Sequence, residues 1–153
     1  MKLAHFSWLL CLVLCLAGCV CERAGTTQTG EPGPDDKLVS RIQNCDVKWD
    51  GTYVGLKPTI YGASRELLAR SPDKVVPLLT QALYDRRRYI AAHVLLTKMT
   101  GGGEQASPES WNGLHISLLP DGSVRVAQGE QAFLVRQWAD FLNKHDAQGK
   151  ASN

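Results

Sequence analysis

Arg86-Arg87-Arg88 run into a histidine, His93, inside the apolar stretch "YIAAHVLL". Two kinds of chemistry suit these residue types. Arginines at a helix start, where backbone N–H groups lack intrahelical partners, attract a phosphate or a carboxylate. An imidazole serves as a general base when a reacting group lies within hydrogen-bond reach. Trp111, in or near a predicted loop, would add an aromatic wall of the kind enriched at interfaces. Arg86, Arg87 and Trp111 are therefore the candidate contacts for an anion or a partner. Structural roles compete at the neighbouring positions. Arg88 lies three residues after Asp85, a spacing that permits an ion pair. His93 falls between two apolar strips, with Tyr89 and Thr97 one turn to either side, where a hydrogen bond to a neighbour would hold it. Trp49 and Trp111 have the size to cap a small core. No glycine-rich cradle accompanies the arginines and no partner for His93 is evident, which favours structural roles for Asp85, Arg88 and His93. Convergence of His93, Arg87 or Arg88, and Trp111 on one open cleft would favour the chemistry instead.

Nothing else in the chain has a catalytic pattern. Gly-x-Ser-x-Gly, a phosphate-binding loop, a dinucleotide fingerprint and a paired-cysteine zinc motif are all missing. His93, His115 and His145 lack metal-ligand spacing such as His-x-x-x-His. The sequence thus implies no catalytic residue, no metal and no cofactor. The formal charge of +2 is below the basic bias expected of a general nucleic-acid binder. A composition of 44% hydrophobic and 21% charged residues is that of an ordinary globular protein.

The elements that must position these residues follow from periodicity. "DDKLVSRIQNC" opens with a short helix capped by Asp36, with Leu38, Val39 and Ile42 on one side. "VKWDGTYV" predicts a hairpin turning at Asp50-Gly51, because a type I′ turn needs positive φ at both central positions. "GLKPTIYG" reads as loop or extended chain. "ASRELLARS" is a short helix. The next helix starts near Lys74, which keeps Pro77 close to the start where few N–H groups have partners. A further helix runs from Arg86 to about Met99, capped by Asp85 and ended by Gly101-Gly102-Gly103. Its wheel has one apolar face with Ala91, Ala92 and Leu95 and a second strip at Ile90 and Val94, a pattern of central helices. "LHISLL" and "SVRVA" alternate around "PDG" as a hairpin, with Leu114, Ile116, Leu118, Val124 and Val126 inward. A last helix, about Glu130 to His145, offers Leu134, Val135, Trp138, Phe141 and Leu142, and residues 147–153 form a polar tail. The expected fold class is α+β, mostly helical, in a single domain over residues 37–146.

Within it, residues 72–101 resemble a HEAT repeat. Pro77-Leu78-Leu79 match the start of the first helix, Asp85 the turn, and Arg88, Ala91, Ala92, Val94 and Leu95 the second helix. The resemblance implies a closely packed helix pair with a protein-binding role. A solenoid normally needs three or more repeats. One such pair followed by a hairpin implies a small domain, not an array. An exposed strip at Ile90 and Val94 would let the pair dock on another helical protein.

The N-terminus carries a different signal. Lys2 precedes an apolar run from Phe6 to Leu16, about a dozen residues, which suits a signal-peptide core and is short for a membrane span. The run ends in Leu16-Ala17-Gly18-Cys19, which resembles the bacterial lipobox. That resemblance implies a signal peptide over residues 1–18, a lipid on Cys19 and an envelope location, with Val20 favouring the outer over the inner membrane. Removal of the signal takes away Lys2 and no acid, leaving a charge of about +1. Residues 22–36, rich in Gly, Pro, Thr and acids, complete a flexible tether over 19–36. Cys21 could reach Cys45 in an oxidising compartment; a disulfide and two free thiols are both open. The expectation is a lipid-anchored envelope protein acting as a small protein-interaction module, its partners the membrane and an envelope protein. The alternative is a small-ligand or anion-binding protein, or an enzyme, built on the Arg86–Arg88 helix start.

Overall fold

The computed structural model describes residues 31–120 and 124–151, with side chains described through His145. Residues Pro32–Asn153 fall in one compact unit. Five helices and two small antiparallel sheets make it a mixed α+β structure among the described residues. The residues that resemble a lipobox, Leu16-Ala17-Gly18-Cys19, and Cys21 lie outside those residues.

Helix α1 spans Pro34–Arg41. It begins before the predicted Asp36 cap: Gly33 takes the N-cap position and Pro34 the first turn, where a missing N–H has no helical partner to lose. Asp35 and Asp36 then sit in the first turn, where the helix dipole favours them. A 3-10 turn at Asn44–Asp46 leads into β1 (Val47–Thr52), which pairs with β2 (Gly55–Ile60). The hairpin therefore turns at Tyr53-Val54, and Asp50 and Gly51 are strand residues paired with Lys57 and Leu56. The displacement has three causes, two of them contacts with residues distant in sequence. The longer strand extends the ladder and keeps Val47 and Trp49 on the buried side. Gly51, lacking a Cβ, leaves room for Leu118, whose Cδ2 would be 3.3 Å from an added Cβ. Positive φ is taken by Gly55, at 131°, and its Cβ would meet the Ser107 nitrogen at 2.7 Å. Gly55 thus permits the backbone approach that lets Leu56 N–H donate to Ser107 C=O at 3.1 Å. The segment read as loop or extended chain is strand β2, with Pro58 buried opposite Trp49.

Helix α2 (Gly62–Leu67) and helix α3 (Pro72–Ala82) follow. The sequence places the start of α3 near Lys74, but it begins at Pro72, which leaves Pro77 inside the helix. Pro77 has no N–H to offer the Asp73 carbonyl, a local loss set against burial of Val75, Leu79 and Ala82. Helix α4 spans Tyr89–Met99 and is the centre of the fold, with every residue from Ile90 to Thr97 buried. Ile90 and Val94 are covered, so the strip proposed for docking on another helical protein is closed.

A second sheet has the order β3 (Ser110–Trp111), β4 (Leu114–Leu118), β5 (Val124–Val126). Leu114 and Ile116 point into the core, whereas Leu118, predicted inward, is partly exposed at the end of its strand. Helix α5 (Glu130–Ala151) lays Leu134 and Trp138 on that core. It outruns the predicted end near His145, because Ala147, Gln148 and Lys150 are good helix formers and Gly149 alone costs only about 1 kcal/mol.

Candidate functional site

His93 sits on α4 beneath β3 and α5, fully enclosed. Its Nδ1 accepts a hydrogen bond from Trp138 Nε1 at 2.9 Å, and its Nε2 lies 3.4 Å from the Trp111 carbonyl oxygen. One nitrogen accepts and the other donates, which fixes the neutral tautomer with its proton on Nε2. Burial pushes the imidazole down to about 4, partly offset by the Trp111 carbonyl. Edge-on aromatic contacts surround the ring, Trp111 at 5.6 Å and Trp138 at 6.0 Å between centroids. Trp49 packs edge-on against Trp111 at 5.8 Å. Trp111 itself is 0% exposed, so it has no surface for an anion or a partner. The three-residue combination of His93, an arginine and Trp111 therefore does not line an open cleft. Among the described residues, no group of three His, Cys, Asp or Glu side chains is placed to hold a metal ion.

The arginines lie elsewhere. Residues 83–88 form a turn, and α4 begins only at Tyr89, so Arg86 and Arg87 precede the helix instead of opening it. Asp85 organises this turn. Its Oδ1 accepts from Arg87 N–H at 2.8 Å, its Oδ2 accepts from Arg88 Nε at 2.8 Å, and its carbonyl accepts from Arg88 and Tyr89 N–H. The Arg87 amide, and then the Arg88 guanidinium, hold the Asp85 carboxyl below its ordinary range against an opposing desolvation effect. The local reason for the late helix start is that Asp85 satisfies the early N–H groups from outside the helix.

Asn44, which the sequence gives no reason to single out, supplies the remaining contacts. Its N–H donates to Arg87 C=O at 2.7 Å, its Nδ2 donates to Arg86 C=O at 2.9 Å, and its Oδ1 accepts from Ile90 N–H at 2.9 Å. With Asp85 and Asn44 in place, the N–H groups of Arg87 to Ile90 are all paired within the protein and are not open to an anion as those of a free helix start would be. The side chains are another matter. Arg86 and Arg87 are exposed, and among the described residues neither guanidinium has a carboxylate within ion-pair distance. Tyr84, 65% exposed, stands on the same turn. The result is a rigid basic turn with an aromatic flank. Arg88 differs, being partly buried and tied to Asp85.

A separate open groove of about 600 Å³ runs between α3, the end of α4 and α5. Val76, Pro77, Met99, Phe141 and Leu142 are its apolar lining, and His145 also borders it. Cys45 is exposed beside Asn44; its proposed partner Cys21 lies outside the described residues. No helix among the described residues is long and apolar enough to cross a membrane. No protein family, curated protein or solved structure matches the chain.

Proposed function

We propose that the chain is a bacterial envelope lipoprotein, anchored by lipid on Cys19, whose folded domain is a small non-catalytic interaction module. The observation that carries this reading is Leu16-Ala17-Gly18-Cys19 at the end of an apolar run headed by Lys2. A lipidated cysteine with several acyl chains holds a protein stably at a bilayer, since each buried methylene contributes about 0.8 kcal/mol. The segment from Cys19 to Gly33 then serves as tether, and Val20 directs the protein to the outer membrane. The α3–α4 pair acts as a single HEAT-like unit: Ala91 and Ala92, the small residues of that resemblance, are buried where the helices meet the core. The contact region is the turn joining the two helices, where Arg86, Arg87 and Tyr84 are presented on a backbone fixed by Asn44 and Asp85.

The enclosure of His93 and Trp111 and the pairing of Arg88 with Asp85 weigh against an enzyme or a small-ligand pocket that joins Arg86–Arg88 to those residues, and leave only the exposed Arg86 and Arg87 side chains for a surface contact. Fractionation of cells expressing the wild type and Cys19→Ala tests the anchor. The wild type is expected in the membrane fraction and the variant outside it or as unprocessed precursor; identical processing and a soluble wild type would overturn the reading.

A further inference from the structure

We infer that the Arg86–Arg87 turn docks on the phosphate headgroups of an anionic membrane, setting which face of the domain is turned to the bilayer. This rests on the lipid-anchor reading. Three observations carry it. The guanidiniums of Arg86 and Arg87 are exposed and have no carboxylate within ion-pair distance among the described residues. Guanidinium suits phosphate by charge and by its forked donors. The backbone that bears them is held by two hydrogen bonds that Asn44 donates to the Arg86 and Arg87 carbonyls, by one that it accepts from Ile90 N–H, and by the Arg87 N–H donating to Asp85 Oδ1, so little further ordering is needed when the turn meets a surface. Tyr84 is an exposed, amphipathic ring on the same turn, the residue type favoured at headgroup depth.

Tether length sets what is geometrically open. A chain of the length of residues 19–33 can reach at most roughly 50 Å. A domain of this size has a radius of gyration of about 14 Å. That reach exceeds the domain's own dimensions, so an anchor at Cys19 does not by its length dictate which face meets the bilayer, and surface chemistry selects the face. The competing face is the hairpin tip, where Tyr53 is 99% exposed beside Val54. That tip lies at the far end of β1 from Asn44 and bears no arginine, so the two faces predict opposite orientations.

The full lipidated chain, carrying Cys21→Ser, is labelled with a donor dye at Cys45 and reconstituted in vesicles with a headgroup acceptor. Stronger energy transfer is expected in phosphatidylethanolamine–phosphatidylglycerol vesicles than in phosphatidylcholine vesicles, and it should fade at high salt. Each arginine near an anionic surface contributes about fivefold, so Arg86→Gln with Arg87→Gln should lower the ratio of docked to undocked protein about 30-fold. Equal transfer on both lipids, or transfer unchanged by the double variant, overturns the inference. So does stronger transfer from a dye at Tyr53→Cys in a Cys45→Ser background, which would turn the hairpin tip to the bilayer. An arginine-dependent complex with an acidic protein but no preference for anionic vesicles overturns it in favour of a protein partner. Should the purified chain prove to lack lipid, the anchor reading fails separately. Sedimentation of that soluble chain with anionic vesicles, with and without the two substitutions, then decides the arginine contact.

Discussion

Acid should destabilise this protein through one buried imidazole. In the folded state His93 is neutral and pushed down to about 4, while in the unfolded chain it returns to 6.5. Between those values the unfolded state binds a proton that the folded state refuses, so stability falls as pH falls through that window. Above 6.5 both states are neutral and below about 4 both are charged, so His93 contributes no slope outside it. The full effect is about 3 kcal/mol, a large part of the stability of a domain this size. Local geometry explains the refusal. Nδ1 accepts from Trp138 Nε1, and a protonated ring would face that N–H with another donor. Urea denaturation at pH values from 7 to 4 measures the effect, with tryptophan fluorescence as readout, because Trp49, Trp111 and Trp138 all lie in this core. His93→Gln keeps an acceptor without a titrating group, and should lose about 3 kcal/mol of the pH dependence in the window. Parallel pH profiles for the wild type and His93→Gln would refute the reasoning, as would imidazole resonances of His93 that titrate near 6.5 in the folded protein.

Other substitutions probe the same scaffold. Trp138→Phe leaves His93 Nδ1 buried without its donor and should cost about 1–3 kcal/mol in urea denaturation. Asn44→Ala removes the side-chain bonds to Arg86 C=O and Ile90 N–H and should cost about 1–2 kcal/mol, with faster hydrogen exchange at Ile90; unchanged exchange there would argue against the clamp. Gly55→Ala places a Cβ against the Ser107 backbone at positive φ and should lower stability by about 1–3 kcal/mol, read from the thermal midpoint. Gly103→Ala, where an added Cβ meets nothing within 4 Å, serves as its near-neutral control.

Periodicity made the helices and the second hairpin legible. The two apolar strips of "YIAAHVLLTKM" marked α4 as central, and alternation in "LHISLL" placed Leu114 and Ile116 in the core. Local turn chemistry was a poorer guide. Asp50-Gly51 is a strong hairpin dipeptide, but the space Gly51 leaves for Leu118 and the approach of Gly55 to Ser107 depend on residues more than fifty positions away. The same holds at the arginine turn. Asp85 announces itself by its spacing to Arg88, whereas Asn44 acts across 42 and 46 residues of chain and leaves no local signature. Pro77 argued for a later start to α3, and burial of Val75 and Leu79 outweighed the single backbone bond it forgoes. Trp111 was ambiguous because its size suits both a core and an interface; only its enclosure against His93 and Trp49 separates the two.

The most direct test of the account is the intact mass of the protein purified from membranes. A chain that begins at Cys19 and carries the added mass of its acyl groups, with the addition mapped to that residue, is the predicted result. A mature chain beginning at another residue, or one beginning at Cys19 without lipid, would contradict it.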